Sequence, residues 1–343
     1  MATGALTEHP HARADITAPM TTWGIRKRRT ALGVIIGVLL AAVAGAVGVP
    51  AANAAHVTGI QRVDGQLSIV NVFSPSMGRI IPNQVLSGGA GSKPVLYLLN
   101  GRAGGVDGDS WLQQTNYRQF FAGKDVTVVS PLGGPYSWYA DWQQPDPKLG
   151  VNKWETYLLR ELPSAIAGPL KTNGRNAVAG LSLSGGPALD LAGRGGGLYR
   201  AAASFSGCPA ISAPPATAGV IATTALGGGN ALNMFGPPGS PAWFDHDPSR
   251  NPGRLAGKAI YLGAAVGIPG APDAAPLGAP TLLAGPAQVE MATKWCTDQL
   301  SAALNGARIP HTYRVFPQGA HTWALFENEL RDGWRVLGPA LGA

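Results

Sequence analysis

The chain has 343 residues, 45% of them hydrophobic and only 13% charged, a balance that excludes a disordered or charge-stabilised scaffold and leaves ample apolar surface to bury. The net charge of +7 includes +3 from the first 54 residues, where five basic residues (Arg13, Arg26, Lys27, Arg28, Arg29) stand against Glu8 and Asp15, leaving +4 on the rest. With no basic stripe interleaved with aromatics, nucleic acid is excluded as a partner.

Arg26 to Arg29 precede an uncharged apolar run over 31–49, which Pro50 ends. Ala52-Asn53-Ala54 then places small residues where a signal peptidase reads, so residues 1–54 are read as a cleaved signal peptide, with Met20 as an alternative start. The run is nearly long enough to anchor a membrane uncleaved, but its Ala and Gly content and the small-residue site favour cleavage. The expected product is a secreted or envelope-bound chain with no integral membrane segment, forming one catalytic domain over 55–343. In an oxidising compartment its two cysteines, Cys208 and Cys296, are read as one disulfide, which by loop closure would contribute on the order of 3 to 4 kcal/mol; a catalytic thiol is the competing reading.

The stretch 56–86 is polar and irregular and is expected to form an antiparallel lead-in. Short, almost continuously apolar runs follow at 95–99, 126–130, 177–181, 201–205, 259–263 and 312–316, each closed by a Gly, Pro, Asn or Ser turn. That pattern predicts parallel strands buried on both faces, joined by crossovers. Apolar spacings of three and four predict helices over 151–167 and 287–304. Gly/Ala/Pro-rich stretches at 211–241 and 267–286 carry little regular signal and are read as an insertion or lid. The whole predicts an α/β-hydrolase fold: a mostly parallel central sheet flanked by helices, with a Gly/Pro-rich insertion near the site.

The chemistry is sharpest at Ala177-Val178-Ala179-Gly180-Leu181-Ser182-Leu183-Ser184-Gly185-Gly186, an apolar strand entering a small-residue turn and a helix over 187–192. This is the layout of a nucleophile elbow, whose tight turn exposes the Ser182 hydroxyl and demands small neighbours two residues to either side; Gly180 meets the demand, and Ser184 stands where Gly is usual. A serine needs a base, which in this fold comes last in the chain. His321, in the turn after 312–316, fits that place better than His246 or His311. For the carboxylate that orients the base, Asp273 and Glu290 both lie between nucleophile and histidine, and position in the loop after 259–263 favours Asp273 slightly. The oxyanion donors are expected from the backbone N–H groups of Leu183 and of Arg102, within Asn100-Gly101-Arg102-Ala103-Gly104-Gly105. Trp142, Trp323 and the loop 211–241 are placed along an apolar channel for lipid, with a plain core role as the competing reading for the two tryptophans. No metal or nucleotide motif occurs, so no cofactor is expected.

Six ordered motifs resemble the mycolyltransferases of the antigen 85 complex and their relatives in mycolate-bearing actinobacteria. They are Leu98-Leu99-Asn100-Gly101 with Trp111, Pro131-Leu132-Gly133-Gly134 before Tyr139-Ala140-Asp141-Trp142, Lys153-Trp154-Glu155-Thr156, Gly180 to Gly185, Phe235-Gly236-Pro237-Pro238, and His321-Thr322-Trp323. The resemblance implies an α/β-hydrolase with a Ser182, Glu290, His321 triad that moves a mycolyl group from one trehalose ester to another or to cell-wall arabinogalactan. Its partners would then be a glycolipid substrate and a sugar acceptor. It replaces Asp273 by Glu290 as the acid, supports the Cys208–Cys296 pairing, and puts Asn100 where those enzymes have a sugar-contacting Asp. Ala103 falls where they have an Arg. A secreted esterase with the same triad, and a catalytically silent wall-binding relative, are the competing functions.

Overall fold

The computed structural model describes residues 54–271, 273 and 285–343. The expected signal peptide, apart from Ala54, and most of the predicted 267–286 excursion lie outside the described residues. Nine strands form one sheet in the order β1-β2-β3-β5-β4-β6-β7-β8-β9. The lead-in is a meander of β1 (His56–Arg62), β2 (Leu67–Ser74) and β3 (Arg79–Leu86), antiparallel within itself and to β5. The six predicted strands are β4 (Lys93–Leu99), β5 (Thr127–Pro131), β6 (Thr172–Leu181), β7 (Tyr199–Phe205), β8 (Ala259–Ala265) and β9 (Thr312–Phe316), all mutually parallel.

Why the strand sequences read as unbroken apolar runs is visible in β4. Val95, Tyr97 and Leu99 enter one core, while Leu96 and Leu98 enter another on the opposite face. A strand alternates its side chains, so only a sheet covered on both sides buries every position. The central β6 and β7 use alanine for much of this (Ala177, Ala179, Ala201, Ala202, Ala203, all buried), which lets helices lie close.

The predicted helix after the elbow is α1 (Gly185–Arg194). The stretch read as irregular contains α2 (Pro214–Leu226) and two short turns of helix at Leu232–Phe235 and Pro241–Asp245. Its signal was weak because the apolar residues of α2 encircle it: Leu226 is exposed, Ile221 half-buried and Val220 buried, and after the two opening prolines Ala, Thr and Gly fill the rest. Two prolines start it, suited to the first turn, where no backbone donor is needed. The 287–304 prediction is α3 (Pro286–Gly306). The 151–167 prediction begins at Trp154 and runs to Ala167 with a π-turn at Tyr157–Glu161. The last helix, α4 (Trp323–Leu341), was not anticipated; its buried positions recur every three or four residues from Leu325 to Leu341, and Gly342 closes it in the left-handed conformation. Among the described residues no helix is long and apolar enough to cross a membrane.

Candidate active site

β6 delivers its last residue, Leu181, to the carboxyl end of the sheet, and Ser182 follows with φ +53°, a backbone conformation that costs a β-carbon-bearing residue of order 1 kcal/mol or more. The turn is held from within. Ser184 Oγ accepts the Leu181 N–H at 2.9 Å and lies 3.0 Å from the Leu181 carbonyl, to which it donates. The residue that departs from the usual glycine thus fastens the elbow. Gly180 has no such latitude, because a β-carbon there would lie 2.3 Å from the Ser184 carbonyl oxygen.

His321 sits in the turn between β9 and α4, its ring edge-on to Phe326. Its Nε2 is 2.7 Å from Ser182 Oγ and its Nδ1 is 2.9 Å from Glu290 Oε2. Glu290, on the first turns of α3, is fully buried, and its other oxygen accepts the Ala265 N–H at 2.7 Å and the Ser206 hydroxyl at 2.8 Å. Three donors surround one carboxylate, the setting in which an anion survives burial. With Nδ1–H donated to Glu290, Nε2 is free to accept the Ser182 proton, an arrangement able to activate a hydroxyl for acyl transfer.

Asp273, which loop position alone favours as the acid, does not touch the imidazole. It accepts the N–H groups of Gly270 (2.8 Å) and Ala320 (3.2 Å) and the Thr322 hydroxyl, clasping the residues on both sides of His321. His246 is bonded to Asp190 and stacked on Phe235, and His311 pairs with Ser301, both away from Ser182. Glu155, Asp190 and His246 form the one metal-like grouping among the described residues, but Arg194 bonds Glu155 at 2.9 Å, so the set is an ion-pair network. Cys208 and Cys296 are joined as a disulfide tying the segment after β7 to α3.

Two cavities meet at Ser182 and His321. One, of about 460 Å³, is an apolar groove between α2 and α3, lined by Val220, Leu226, Val289, Ala292 and Trp295 and also by Trp138 and the disulfide. The other, of about 670 Å³, is more polar and bordered by Asp109, Gln114, Thr322, Trp323 and Glu327. Arg102 borders both, and Leu183 borders the groove. Trp323 stands at the polar cavity with its indole N–H on Asp109 at 2.9 Å. Two expected substrate contacts are corrected. Asn100 is fully buried, its amide spent on the Pro131 carbonyl (3.2 Å) and on the Trp111 N–H (3.2 Å), so it anchors the loop after β4. Trp142 is 1% exposed and bonds the Ser137 carbonyl within the core. The stretch 211–241, placed along the channel from the sequence, supplies the α2 wall; sequence reasoning missed the α3 wall residues, Asp109, Gln114 and Ser206, and for α3 the signal was the predicted helix over 287–304.

The sheet, the elbow and the hydrogen-bonded Ser182, His321 and Glu290 define an α/β-hydrolase of the esterase class. The family model described as "Putative esterase" matches residues 74–336. The chain is 32% identical to the diacylglycerol acyltransferase/mycolyltransferase Ag85B of Mycobacterium avium, over 96% of this chain and 98% of that protein. It is 37% identical to the corresponding Ag85A of Mycobacterium tuberculosis over 66% of this chain and 68% of that one. Among solved structures, Mycobacterium tuberculosis MPT51 (FbpC1) aligns with TM-score 0.63 and 27% identity over 79% of this chain and 96% of that chain. An S-formylglutathione hydrolase from Agrobacterium tumefaciens, at 15% identity and TM-score 0.63, covers 84% of this chain and 100% of its own, and shares the fold. The chain belongs to the esterase family, together with the Ag85 diacylglycerol acyltransferase/mycolyltransferases.

Proposed function

We propose that this chain is a serine acyltransferase that moves a mycolyl or comparable long-chain acyl group between trehalose esters, or onto cell-wall arabinogalactan, through an acyl-enzyme on Ser182. The observation that carries this reading is the meeting of an apolar groove and a polar cavity at one hydroxyl, which offers separate room for a lipid chain and a sugar. Full-length similarity to proteins named diacylglycerol acyltransferase/mycolyltransferase supports the same chemistry.

In the first half-reaction Ser182 Oγ bonds to the acyl carbon of the donor ester while its proton passes to His321 Nε2. The ester C–O bond then breaks, and the departing sugar oxygen takes that proton. In the second, an acceptor hydroxyl gives its proton to His321 and attacks the acyl carbon, and Ser182 leaves with the proton restored. Glu290 holds the imidazole tautomer and faces the imidazolium charge. The Leu183 and Arg102 N–H groups are assigned to the developing oxyanion, and Trp323 with Asp109 to the sugar. The chain is further read as one catalytic domain over 55–343, exported by the leader 1–54 to the cell envelope or beyond, a setting the disulfide suits.

The test is intact mass after incubation with a trehalose monoester, comparing wild type and Ser182→Ala. An acyl adduct on wild type alone, discharged faster by trehalose than by water, is the expected result. Equal discharge by water would make the enzyme an esterase, and no adduct would leave a binding protein.

A further inference from the structure

The buried stripe of α4 is apolar at Leu325, Phe326, Leu330, Leu337 and Leu341, yet it includes Glu329, whose exposure is 0%. A carboxyl group at a core position is costly unless it is partnered or neutral. Space is reserved for it: a β-carbon on Gly263 of β8 would fall 2.8 Å from Glu329 Oε1. Both Glu329 oxygens lie 3.1 Å from Ser206 Oγ, the same hydroxyl that stands 2.8 Å from Glu290 Oε1.

One hydroxyl hydrogen therefore faces two carboxyl groups, and donor accounting decides their states. Glu290 also has the Ala265 N–H and the His321 Nδ1–H, whereas Ser206 supplies Glu329's side-chain hydrogen bonds. The titratable groups facing Glu329 are Glu290 from α3, Tyr261 from β8 and Tyr313 from β9, with Asp332 further along α4. Among the described residues no cation pairs with it. Burial first, and the Glu290 charge second, hold the Glu329 carboxyl well above the usual carboxylate range.

We propose that Glu329 is a positioning residue for the acid of the triad: as a neutral acid it donates its own O–H to Ser206 Oγ, so the Ser206 hydrogen is committed to Glu290 Oε1. Oε2 is then left to hold His321, and the chain Glu329, Ser206, Glu290, His321 carries a single negative charge. The inference rests on the assignment of Ser182, His321 and Glu290 made above.

Hydrolysis of p-nitrophenyl butyrate by the purified protein, followed from pH 5 to 10, tests it. Glu329→Gln, whose amide can still donate to Ser206, is expected to keep kcat within about threefold with the acid limb of kcat/KM in place. Glu329→Leu, with no donor, is expected to lose tenfold or more in kcat at a KM within twofold. Its acid limb should move to higher pH, because a less shared charge on Glu290 holds the imidazolium more strongly. Glu329→Gln as impaired as Glu329→Leu, or Glu329→Leu indistinguishable from wild type, would overturn the proposal. If Glu329→Leu does not fold, Ser206→Ala carries the same expectation, and a wild-type rate and pH profile from it is equally fatal. Ser182→Ala in parallel separates the two levels: its activity lost while Glu329→Leu behaves as wild type removes this inference alone, whereas its activity retained removes the triad beneath it.

Discussion

At the residue scale, two acids near His321 make different contacts, and the difference sets the size of their effects. Glu290 touches the imidazole, so Glu290→Gln is expected to lower kcat by about 10³-fold or more, the loss that follows when a base is held in the wrong tautomer. Asp273 touches the backbone beside it, so Asp273→Asn, which keeps two of its acceptor contacts through the amide oxygen, is expected to cost about tenfold. Steady-state hydrolysis of one ester by both variants checks the order, and a larger loss for Asp273→Asn would reverse the roles. Ser184 invites a second test, because replacing it by the glycine usual at that position removes the acceptor of a buried Leu181 N–H. Ser184→Gly is expected to lower stability by about 1 to 2 kcal/mol in urea unfolding, although it restores the common motif.

Elements carried most of what the sequence revealed. A buried parallel strand advertises itself residue by residue, and all six runs became strands, five of them within two residues of the expected bounds; β6 starts five residues early, at Thr172, where its sequence is polar and its side chains are largely exposed. The elbow and the terminal histidine were legible for a related reason: a strained turn and a loop base are local demands on nearby residues. The carboxylate that meets His321 was not, since Glu290 reaches the imidazole from a helix that tertiary packing brings across the sheet, and only the family resemblance named that residue. Nor was α2, whose one-sided burial is not written as one-sided hydrophobicity. Asn100 and Trp142 were misread because polarity and size say nothing of which way a side chain faces. With α2 and α3 as groove walls, a bulky residue between them should act on chain length rather than on chemistry. Ala292→Trp is expected to lower kcat/KM at least tenfold for a sixteen-carbon acyl ester while leaving a four-carbon ester within about twofold. A uniform loss across chain lengths would place the acyl chain elsewhere.

At the scale of the whole molecule, the buried acid of α4 and the ion pairs at the surface pull stability in opposite directions along the pH axis. Asp245, between Arg254 and Arg194, and Asp64, bonded by the Leu67 and Gln66 N–H groups and by Arg118, are both held at about 2. Each favours the folded state above the ordinary aspartate value, and that support is lost as pH falls toward 2. Glu329 is the reverse case. Its folded carboxyl keeps a proton that the unfolded chain releases above about pH 4. The folded state then binds more protons than the unfolded one, so stability declines as pH rises from there. Glutamine has no proton to release, and Glu329→Gln removes this decline while retaining shape and the Ser206 contact. Thermal unfolding from pH 4 to 9 should therefore show the variant close to wild type near pH 4 and progressively more stable than wild type toward pH 8. A gain of equal size at both ends would trace to packing and not to the proton. A variant less stable at pH 8 would mean that Glu329 is ionised in the native fold, with two adjacent anions under the site.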